Sequence, residues 1–329
     1  MTANAQPQRS VAGGTPPPPD DQVAALARAV ADQVAQVVRG RRRTADLAVT
    51  ALLAEGHLLI EDVPGVGKTT LAKALAASLD ASVGRIQFTP DLMPSDITGS
   101  HVYLAERGGL EFRAGPVFAH IVIADEINRA SPKTQSALLE AMQEGHVTVD
   151  GTTYALPRPF LVVATQNPVE LEGTYPLPEA QRDRFLAQTG VGYPDLEQEI
   201  AVLDGQEIRD PLTGLRPVAT ADQVQSMIAS VRRLYTAPAI KRYIAELARA
   251  TRLADETVLG ASPRAAIQLL RAAKAAACLA QRRHVLPDDV QGLVLPVWGH
   301  RLVLTRSALR QGVTPESLLR RCLERTPVR

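Results

Sequence analysis

Short apolar runs alternate with helical patterns along the chain up to about residue 194. Strands are predicted at 58–60, 83–89, 120–125, 160–165 and 186–191. Several of these runs are apolar at nearly every position, which is typical of strands whose two faces are both covered by helices. The pattern therefore predicts an α/β fold built on a parallel sheet.

Helical periodicity precedes the first predicted strand and dominates the chain after the last one. In the helix predicted from Asp21, apolar residues recur at three- and four-residue spacing and so fall on one face. The predicted helices cover 21–38, 44–54, 132–144, 238–254, 263–280 and 288–300. Because the strand pattern stops near residue 194, we expect an α/β core over 21–194 and a separate all-α domain over 195–329.

Three segments depart from this regular alternation. Residues 1–20 are polar and rich in glycine and proline, a composition typical of a disordered leader. One insert, at about 98–115, and a second, at about 145–159, interrupt the core. The second insert alternates around Asp150-Gly151, which predicts a β-hairpin. Since loops held by a rigid scaffold commonly carry recognition, we expect the inserts to carry the specificity for a binding partner.

Composition narrows the class of protein. The formal net charge is +1, which provides no general attraction to nucleic acid or to an anionic membrane. No apolar run approaches the roughly 18 residues that span a bilayer, and the N-terminus lacks the apolar stretch of a secretion signal. Cys278 and Cys322 form no motif, so we expect reduced, buried thiols. These features favour a soluble, cytoplasmic protein with no nucleic acid partner and no membrane insertion.

The clearest chemistry lies between the first strand and the helix that follows it. A glycine-rich turn that joins a strand to a helix and ends in Gly-Lys-Thr is the context of a P-loop. Its backbone N–H groups and the helix N-terminus would face phosphate oxygens, Lys68 would reach the terminal phosphates, and the Thr69 hydroxyl would bind Mg²⁺. Asp62 stands where the strict pattern has glycine. The predicted nucleotide-binding residues are Asp62, Val63, Pro64, Gly65, Val66, Gly67, Lys68, Thr69 and Thr70.

Two carboxylates come directly after the third predicted strand. Ligands of parallel sheets bind beyond the carboxyl ends of the strands. Asp125 is thus placed to hold Mg²⁺ through water, and Glu126 to orient and polarise an attacking water. Asn167 ends the next strand, where its amide would lie beside that water and the γ-phosphate. An asparagine in such a turn is ordinary by itself, so its predicted role depends on the P-loop.

Three arginines complete the set of candidates. Arg182 and Arg184 lie shortly before the last strand, and a planar, permanently charged guanidinium suits the stabilisation of transition-state charge. Arg264 lies in the first turn of a helix, where a cation opposes the helix dipole. We predict that Arg264 is held there to reach phosphates across the cleft between the domains. A surface position or surface ion pair is the alternative for each.

Together these stretches resemble the MoxR family of AAA+ ATPases. The resemblance covers roughly residues 37–310. Its matching segments are 56–69, 85–99, 125–130, 164–168, 173–181, 183–185 and 260–264. It implies a P-loop AAA+ core with a five-stranded parallel sheet of order 5-1-4-3-2, an all-α lid domain, ATP with Mg²⁺, and a homo-oligomeric ring, usually a hexamer.

The resemblance also implies roles for individual residues. Asn167 is similar to sensor 1, Arg184 to the arginine finger that acts on the neighbouring subunit, and Arg264 to the sensor 2 arginine of the lid. Family members commonly have an apolar residue in place of Arg182, so both Arg182 and Arg184 stay open as the trans-acting arginine, with Arg184 preferred. The inserts resemble the helix-2 insert and the pre-sensor-1 hairpin that the family shares with magnesium-chelatase motor subunits.

The implied function is that of a chaperone-like remodelling ATPase. Such proteins assemble or activate client complexes, often by metal-cofactor insertion, commonly with a von Willebrand factor A-domain partner. The residues leave three alternatives. A nucleotide-gated scaffold would not need Glu126, a DNA-directed motor is disfavoured by the neutral charge, and a small-molecule P-loop kinase has no evident use for Arg184 in trans.

Overall fold

The computed structural model describes most of the chain. The described residues are 20–38, 41–61, 68–106, 108–167, 173–190 and 211–328. Residues 1–19 of the predicted leader, residues 62–67 of the predicted P-loop and the predicted boundary near 194 lie outside them. None of the helices within these ranges is long and apolar enough to cross a membrane.

Five parallel strands form the central sheet. They are β1 (Leu58–Glu61), β2 (Val83–Gln87), β5 (Ile121–Asp125), β8 (Leu161–Gln166) and β9 (Ala187–Thr189). Their spatial order is β2-β5-β8-β1-β9. Counted among these five strands alone, this is the order 5-1-4-3-2, so both the α/β prediction and the implied topology are confirmed. All five residues of β5 are buried, which explains its uninterrupted apolar run.

Helices cover both faces of the sheet and make up most of the C-terminal region. The described helices are α1 (Asp20–Val37), α2 (Arg42–Leu53), α3 (Lys68–Ala77), α4 (Pro94–Thr98), α5 (Pro132–Glu144), α6 (Glu179–Arg182), α7 (Ala221–Arg233), α8 (Pro238–Leu253), α9 (Pro263–Leu279), α10 (Pro287–Trp298), α11 (Arg306–Arg310) and α12 (Pro315–Arg325). Helix α5 begins as predicted, with the Ser131 hydroxyl accepting a 3.4 Å bond from the Thr134 N–H. It ends at Gly145, which has a φ of 67°.

Both inserts are hairpins, and they pack against each other. Their antiparallel strands are β3 (Gly99–Leu104) with β4 (Gly109–Ala114), and β6 (His146–Val149) with β7 (Thr152–Ala155). His101 Nδ1 lies 2.8 Å from Asp150 Oδ2, and the rings of Phe112 and Tyr154 stack at 3.9 Å. The sequence predicted only the second hairpin; the tertiary structure joins the two into one projection.

The C-terminal region is mainly helical but is not all-α. Strand β10 (Thr257–Leu259) pairs antiparallel with β11 (Val303–Leu304). Strands this short leave no periodic pattern in the sequence, which is why they were not predicted. The two cysteines are buried and free, as expected.

The C-terminal helices share an apolar core with the N-terminal ones. Helix α9 packs against α1 and α2, and these pack in turn against α3 and the sheet. The fully buried Trp298 ties α10 to α9, since its indole N–H donates a 3.0 Å bond to the Ala265 carbonyl. This packing fixes which face of α9 is left exposed.

Candidate functional site

Thr69 and Asp125 meet at the carboxyl edge of the sheet. Thr69 is the second residue of α3 and Asp125 is the last residue of β5. The Thr69 hydroxyl donates a 3.3 Å hydrogen bond to Asp125 Oδ1. The other carboxylate oxygen accepts a 3.0 Å bond from Arg85 Nε. Since the Asp125 side chain is only 8% exposed, both oxygens are fixed in direction.

This pair of oxygen donors fits the predicted magnesium site. Mg²⁺ is commonly held by one or two protein oxygens, substrate phosphates and water rather than by an all-protein cage. Within the described residues, no group of three or more His, Cys, Asp or Glu side chains could hold a metal ion. Thr69 and Asp125 need no such group, because phosphates and water would supply the remaining ligands.

Glu126 is held in an unusual backbone conformation beside Asp125. Its φ is 57° and its ψ is 50°, the left-handed region that residues other than glycine rarely adopt. The Glu126 N–H donates a 2.9 Å bond to Thr165 Oγ1 of β8. Its carboxylate accepts a 2.9 Å bond from Gln87 Nε2 and lies 3.1 Å from Arg129 Nε. Such strain persists where the surroundings hold it, commonly at functional sites.

Asn167 lies at the same edge, directly after β8. It is 8% exposed, and its backbone oxygen is 3.5 Å from Asn128 Nδ2 in the turn after Glu126. Because β5 and β8 are neighbouring parallel strands, about 4.8 Å apart, their carboxyl ends lie side by side. The structure therefore brings Thr69, Asp125, Glu126 and Asn167 together, as the sequence predicts.

The predicted P-loop is described only at its two ends. Strand β1 ends at Glu61 and α3 begins at Lys68, so the strand and the helix that a P-loop requires are present. Asp62, Val63, Pro64, Gly65, Val66 and Gly67 lie outside the described residues, as does the side chain of Lys68. Thr69 and Thr70 are half-buried at the start of α3.

Arg182 and Arg184 line two different cavities. Arg182 lines a cavity of about 1060 Å³ between the sheet and the C-terminal helices, together with Glu61 at the carboxyl end of β1. Arg184 lines a second cavity, of about 420 Å³, together with Gly56 and His57. Because Gly56 and His57 immediately precede β1, the second cavity opens at the amino edge of the sheet, opposite Asp125.

Arg264 joins Arg184 in that second cavity. The four residues of β1 span about 13 Å at about 3.3 Å per residue, so the two edges of the sheet are well separated. Arg264 therefore lines a cavity at the amino edge of the sheet, and its role of reaching phosphates across the cleft between the domains stays a prediction. The physical reason for this position is the packing of α9, whose buried face, including Ala265, turns Arg264 toward the amino edge.

Arg301, which sequence reasoning missed, holds the segment that carries Arg184. Its side chain is 3% exposed, and its Nε donates a 2.7 Å bond to Asp183 Oδ1. Its Nη1 donates a 3.1 Å bond to the Leu186 carbonyl, and its Nη2 donates to the Phe185 carbonyl. Burial lowers the pKa of Arg301 to about 10, and the bond to Asp183 opposes that shift. No sequence motif marks an arginine that acts by binding backbone carbonyls.

Arg85, Gln87 and Thr165 were also missed as parts of the site. Each holds Asp125 or Glu126 from a neighbouring strand. The available signal was the exposed alternate positions of β2, which include Arg85 and Gln87. The contact of these residues with Asp125 and Glu126 can be inferred only once β2 is known to pair with β5.

His57 is buried and lines the same cavity as Arg184 and Arg264. Its Nδ1 accepts a 3.0 Å bond from the Val162 N–H, so Nε2 carries the proton and donates to the Met142 carbonyl at 3.0 Å. Burial lowers the pKa of His57 from 6.5 to about 4, and the bond to Met142 opposes that shift. The neutral imidazole joins β1 and β8 to the last turn of α5.

We expect His57 to make the fold sensitive to mild acid. The unfolded chain protonates this histidine below about pH 6.5, whereas the folded chain does so only near pH 4. The neutral ring contributes its full stabilisation above pH 6.5. As the pH falls toward 4, the free energy of unfolding should decrease by about 2–3 kcal/mol.

Denaturant unfolding at pH 7 and pH 4.5 measures this loss in the wild type and in His57→Gln. The variant should be less stable at pH 7 and should lose less stability on acidification. His300, whose pKa burial also lowers, is present in both proteins. Equal losses in the two proteins would contradict the role of His57.

Comparison with known proteins agrees with this arrangement. The model of the ATPase family associated with various cellular activities (AAA) matches residues 57–187, and an AAA lid domain model matches residues 249–322. Uncharacterized protein YeaC of Bacillus subtilis is 49% identical over 303 residues, covering 92% of this chain and 94% of YeaC. Chaperone MoxR1 of Mycobacterium tuberculosis is 40% identical over 312 residues, covering 92% of this chain and 82% of MoxR1.

A solved structure extends the similarity to the tertiary level. The crystal structure of a candidate ATPase from Cytophaga hutchinsonii superposes with a TM-score of 0.88 at 37% identity. The match covers 94% of this chain and 97% of that one. Sequence motifs, strand order and relatives agree, and the chain belongs to the MoxR family of AAA+ ATPases.

Proposed function

We propose that this protein hydrolyses ATP with Mg²⁺ in a homo-oligomeric ring and uses the reaction to remodel client proteins. The observation that carries the proposal is the contact between Thr69 and Asp125, with Glu126 beside them at the carboxyl edge of the sheet. Bound there, Mg²⁺ would supply positive charge that neutralises the phosphates. Thr69 would hold the metal directly and Asp125 would hold it through water.

Glu126 is the residue that we assign to the attacking water. As general base, its carboxylate would accept a proton from that water, and Gln87 and Arg129 support the proposal because they fix one of its oxygens. Asn167, next to it in space, would orient the same water. Lys68 would bind the terminal phosphates, and the amides of the P-loop would bind the remaining oxygens.

The larger cavity is the candidate site for the base and ribose of ATP. It starts at Glu61, which directly precedes the predicted P-loop, and its volume of about 1060 Å³ is ample for a nucleotide. Arg182 lines this cavity within the same chain. We therefore assign Arg182 to nucleotide binding in cis. Arg184 is then the candidate for the trans-acting arginine.

Two arginines of the opposite edge support the ring. Arg184 and Arg264 lie about 13 Å or more from the carboxyl edge of their own β1, judged by strand length. In a head-to-tail ring, the amino edge of one copy meets the carboxyl edge of the next. Both arginines would then stabilise charge on the neighbour's phosphates. We propose a hexamer, the ring size that is usual in this family.

The proposed class of client protein rests on the family and on the two hairpins. The relative MoxR1 is named a chaperone. At the tip of the first hairpin, Tyr103 and Leu110 are cross-strand partners and are 64% and 70% exposed. Such an apolar tip suits contact with another protein. We propose that this ATPase is cytoplasmic and that its client belongs to the von Willebrand factor A-domain class. It would assemble or activate the complexes of that client, with metal-cofactor insertion as one form of that activation.

Phosphate release by the wild-type protein in the presence of ATP and Mg²⁺ tests the proposed hydrolysis. The variant Lys68→Ala separately tests the assignment of the P-loop. A hydrogen bond to a charged group contributes about 1.5–3 kcal/mol, so the variant should bind ATP about 10- to 100-fold more weakly. Calorimetric titration with ATP measures this. Lys73→Ala is a matched control, since Lys73 is an exposed lysine of the same helix. Equal ATP affinity in Lys68→Ala and wild type would refute the P-loop assignment. Saturable ATP binding without phosphate release would favour the nucleotide-gated scaffold.

A further inference from the structure

One face of α9 is exposed and carries two arginines with an isoleucine between them. Arg264, Ile267 and Arg271 follow at three- and four-residue spacing, so they lie on the same side of the helix. All three line the cavity of about 420 Å³ that also contains Arg184. Ile267 is 54% exposed. A single exposed apolar residue is ordinary, but arginine is enriched at protein interfaces.

The charge of this cavity is not balanced by the residues that the structure describes. The guanidinium groups of Arg184, Arg264 and Arg271 face it, and none of the three has an ion pair or side-chain hydrogen bond with any residue that the structure describes. The one carboxylate in its lining, Glu55, is already paired with Arg232. Like charges without a counter-charge repel one another. The cavity therefore favours an anion from beyond the described residues, and a second copy of the chain can supply one.

Arg271 differs from the cations next to it. Lys274, one turn further along α9, donates a 2.7 Å bond to the Arg232 carbonyl. Arg232 in turn is bound to Glu55. These two side chains are used inside the protein, whereas Arg271 is exposed at the rim of the cavity.

The spacing along α9 separates the role of Arg271 from that of Arg264. Seven residues correspond to about 10 Å along a helix axis. When Arg264 and Arg184 contact a triphosphate, Arg271 therefore faces the protein surface beside it. The carboxyl edge that would lie opposite carries the exposed Asp91 and the two carboxylates of the site.

We propose that Arg271, together with Ile267, is a positioning residue for hydrolysis in the neighbouring copy. Its guanidinium binds a carboxylate of that copy and so seats Arg184 and Arg264 at the neighbour's nucleotide. This inference rests on the proposed function, in which the active site is divided between two copies of the chain.

The test is the dependence of specific ATPase activity on protein concentration. For Arg271→Ala, the concentration that gives half of the plateau activity should rise about tenfold, the scale of an important interface residue. Arg271→Lys should recover part of this shift, and Ile267→Asp should shift it in the same direction. Arg310→Ala, which removes an exposed arginine of α11, is the matched control and should behave as wild type. Thermal unfolding of each variant checks that the fold is kept.

The outcomes separate this inference from the proposed function. If wild type hydrolyses ATP and Arg184→Ala does not, but Arg271→Ala has the wild-type concentration dependence, the role of Arg271 is refuted and the proposed function stands. Activity of Arg271→Ala that stays low at high protein concentration also refutes it, because Arg271 would then act on the nucleotide itself. Absence of ATP hydrolysis by wild type refutes the proposed function instead.

Discussion

Replacing Arg184 by alanine is expected to leave ATP binding intact and to slow hydrolysis by up to about 10³-fold. The guanidinium lines a cavity at the amino edge of the sheet, whereas the candidate metal and water ligands lie at the carboxyl edge. Removal of the side chain therefore leaves the nucleotide site of the same chain untouched. Equilibrium ATP binding and phosphate release measure the two effects separately.

Mixing variants tests whether Arg184 acts on a neighbouring copy. In mixed rings of Arg184→Ala and Glu126→Gln, an Arg184→Ala subunit keeps its own Glu126 and receives Arg184 from the other variant. The mixture should regain activity that neither variant has alone. Co-assembly is verified by pull-down of differently tagged variants.

Arg182→Ala is the matched control, because Arg182 lies two residues away but lines the cavity at Glu61. Its defect should appear in ATP binding and should not be rescued by Glu126→Gln, whose subunits lack their own water-activating carboxylate. Rescue of Arg182→Ala together with failure to rescue Arg184→Ala would transfer the trans-acting role to Arg182.

Glu126→Gln is expected to retain ATP and to slow turnover by about 10²-fold or more, the scale of a positioned general base. The amide has the same shape, and the backbone bond to Thr165 is kept, so the left-handed turn should persist. The carboxylate charge is lost, and with it the ability to accept a proton from water and the ion pair with Arg129. Phosphate release and the amount of ATP that stays bound after gel filtration measure the effect.

Glu140→Gln is the control for this variant, since Glu140 is an exposed glutamate on α5. It should hydrolyse ATP at the wild-type rate. Near-wild-type phosphate release by Glu126→Gln would show that another group orients the water, and Asn167, which lies at the same edge, would be the next to replace.

The local elements that depend on short-range pattern could be predicted from the sequence. Apolar runs identified β1, β5 and β8, because burial on both faces leaves few polar positions inside a strand. Strand β2 was also predicted, although its alternate positions are exposed. Ser131 and Gly145 marked the ends of α5, because capping and left-handed turns have strong residue preferences. Thr69, Asp125, Glu126 and Asn167 could be grouped, because the carboxyl ends of parallel strands meet at one edge.

Other features depend on contacts between residues far apart in the chain. Arg301 lies more than a hundred residues after the segment that it holds, and its bonds to backbone carbonyls leave no trace in the residue types that they join. The same holds for His57, whose partners on β8 and α5 are known only from the fold. The joining of the two hairpins through His101 and Asp150 is a further example.

The sequence by itself determined the α/β class, the family, and the set of candidate residues, since each follows from local pattern or motif. It did not decide whether Arg182 or Arg184 is the trans-acting arginine, because two residues that are two positions apart in a turn can face opposite ways. The tertiary structure decided that they line different cavities and that Arg264 lies with Arg184. The physical reason is packing: the apolar face of α9 must be buried against α1 and α2, and this orients its arginines toward the amino edge of the sheet.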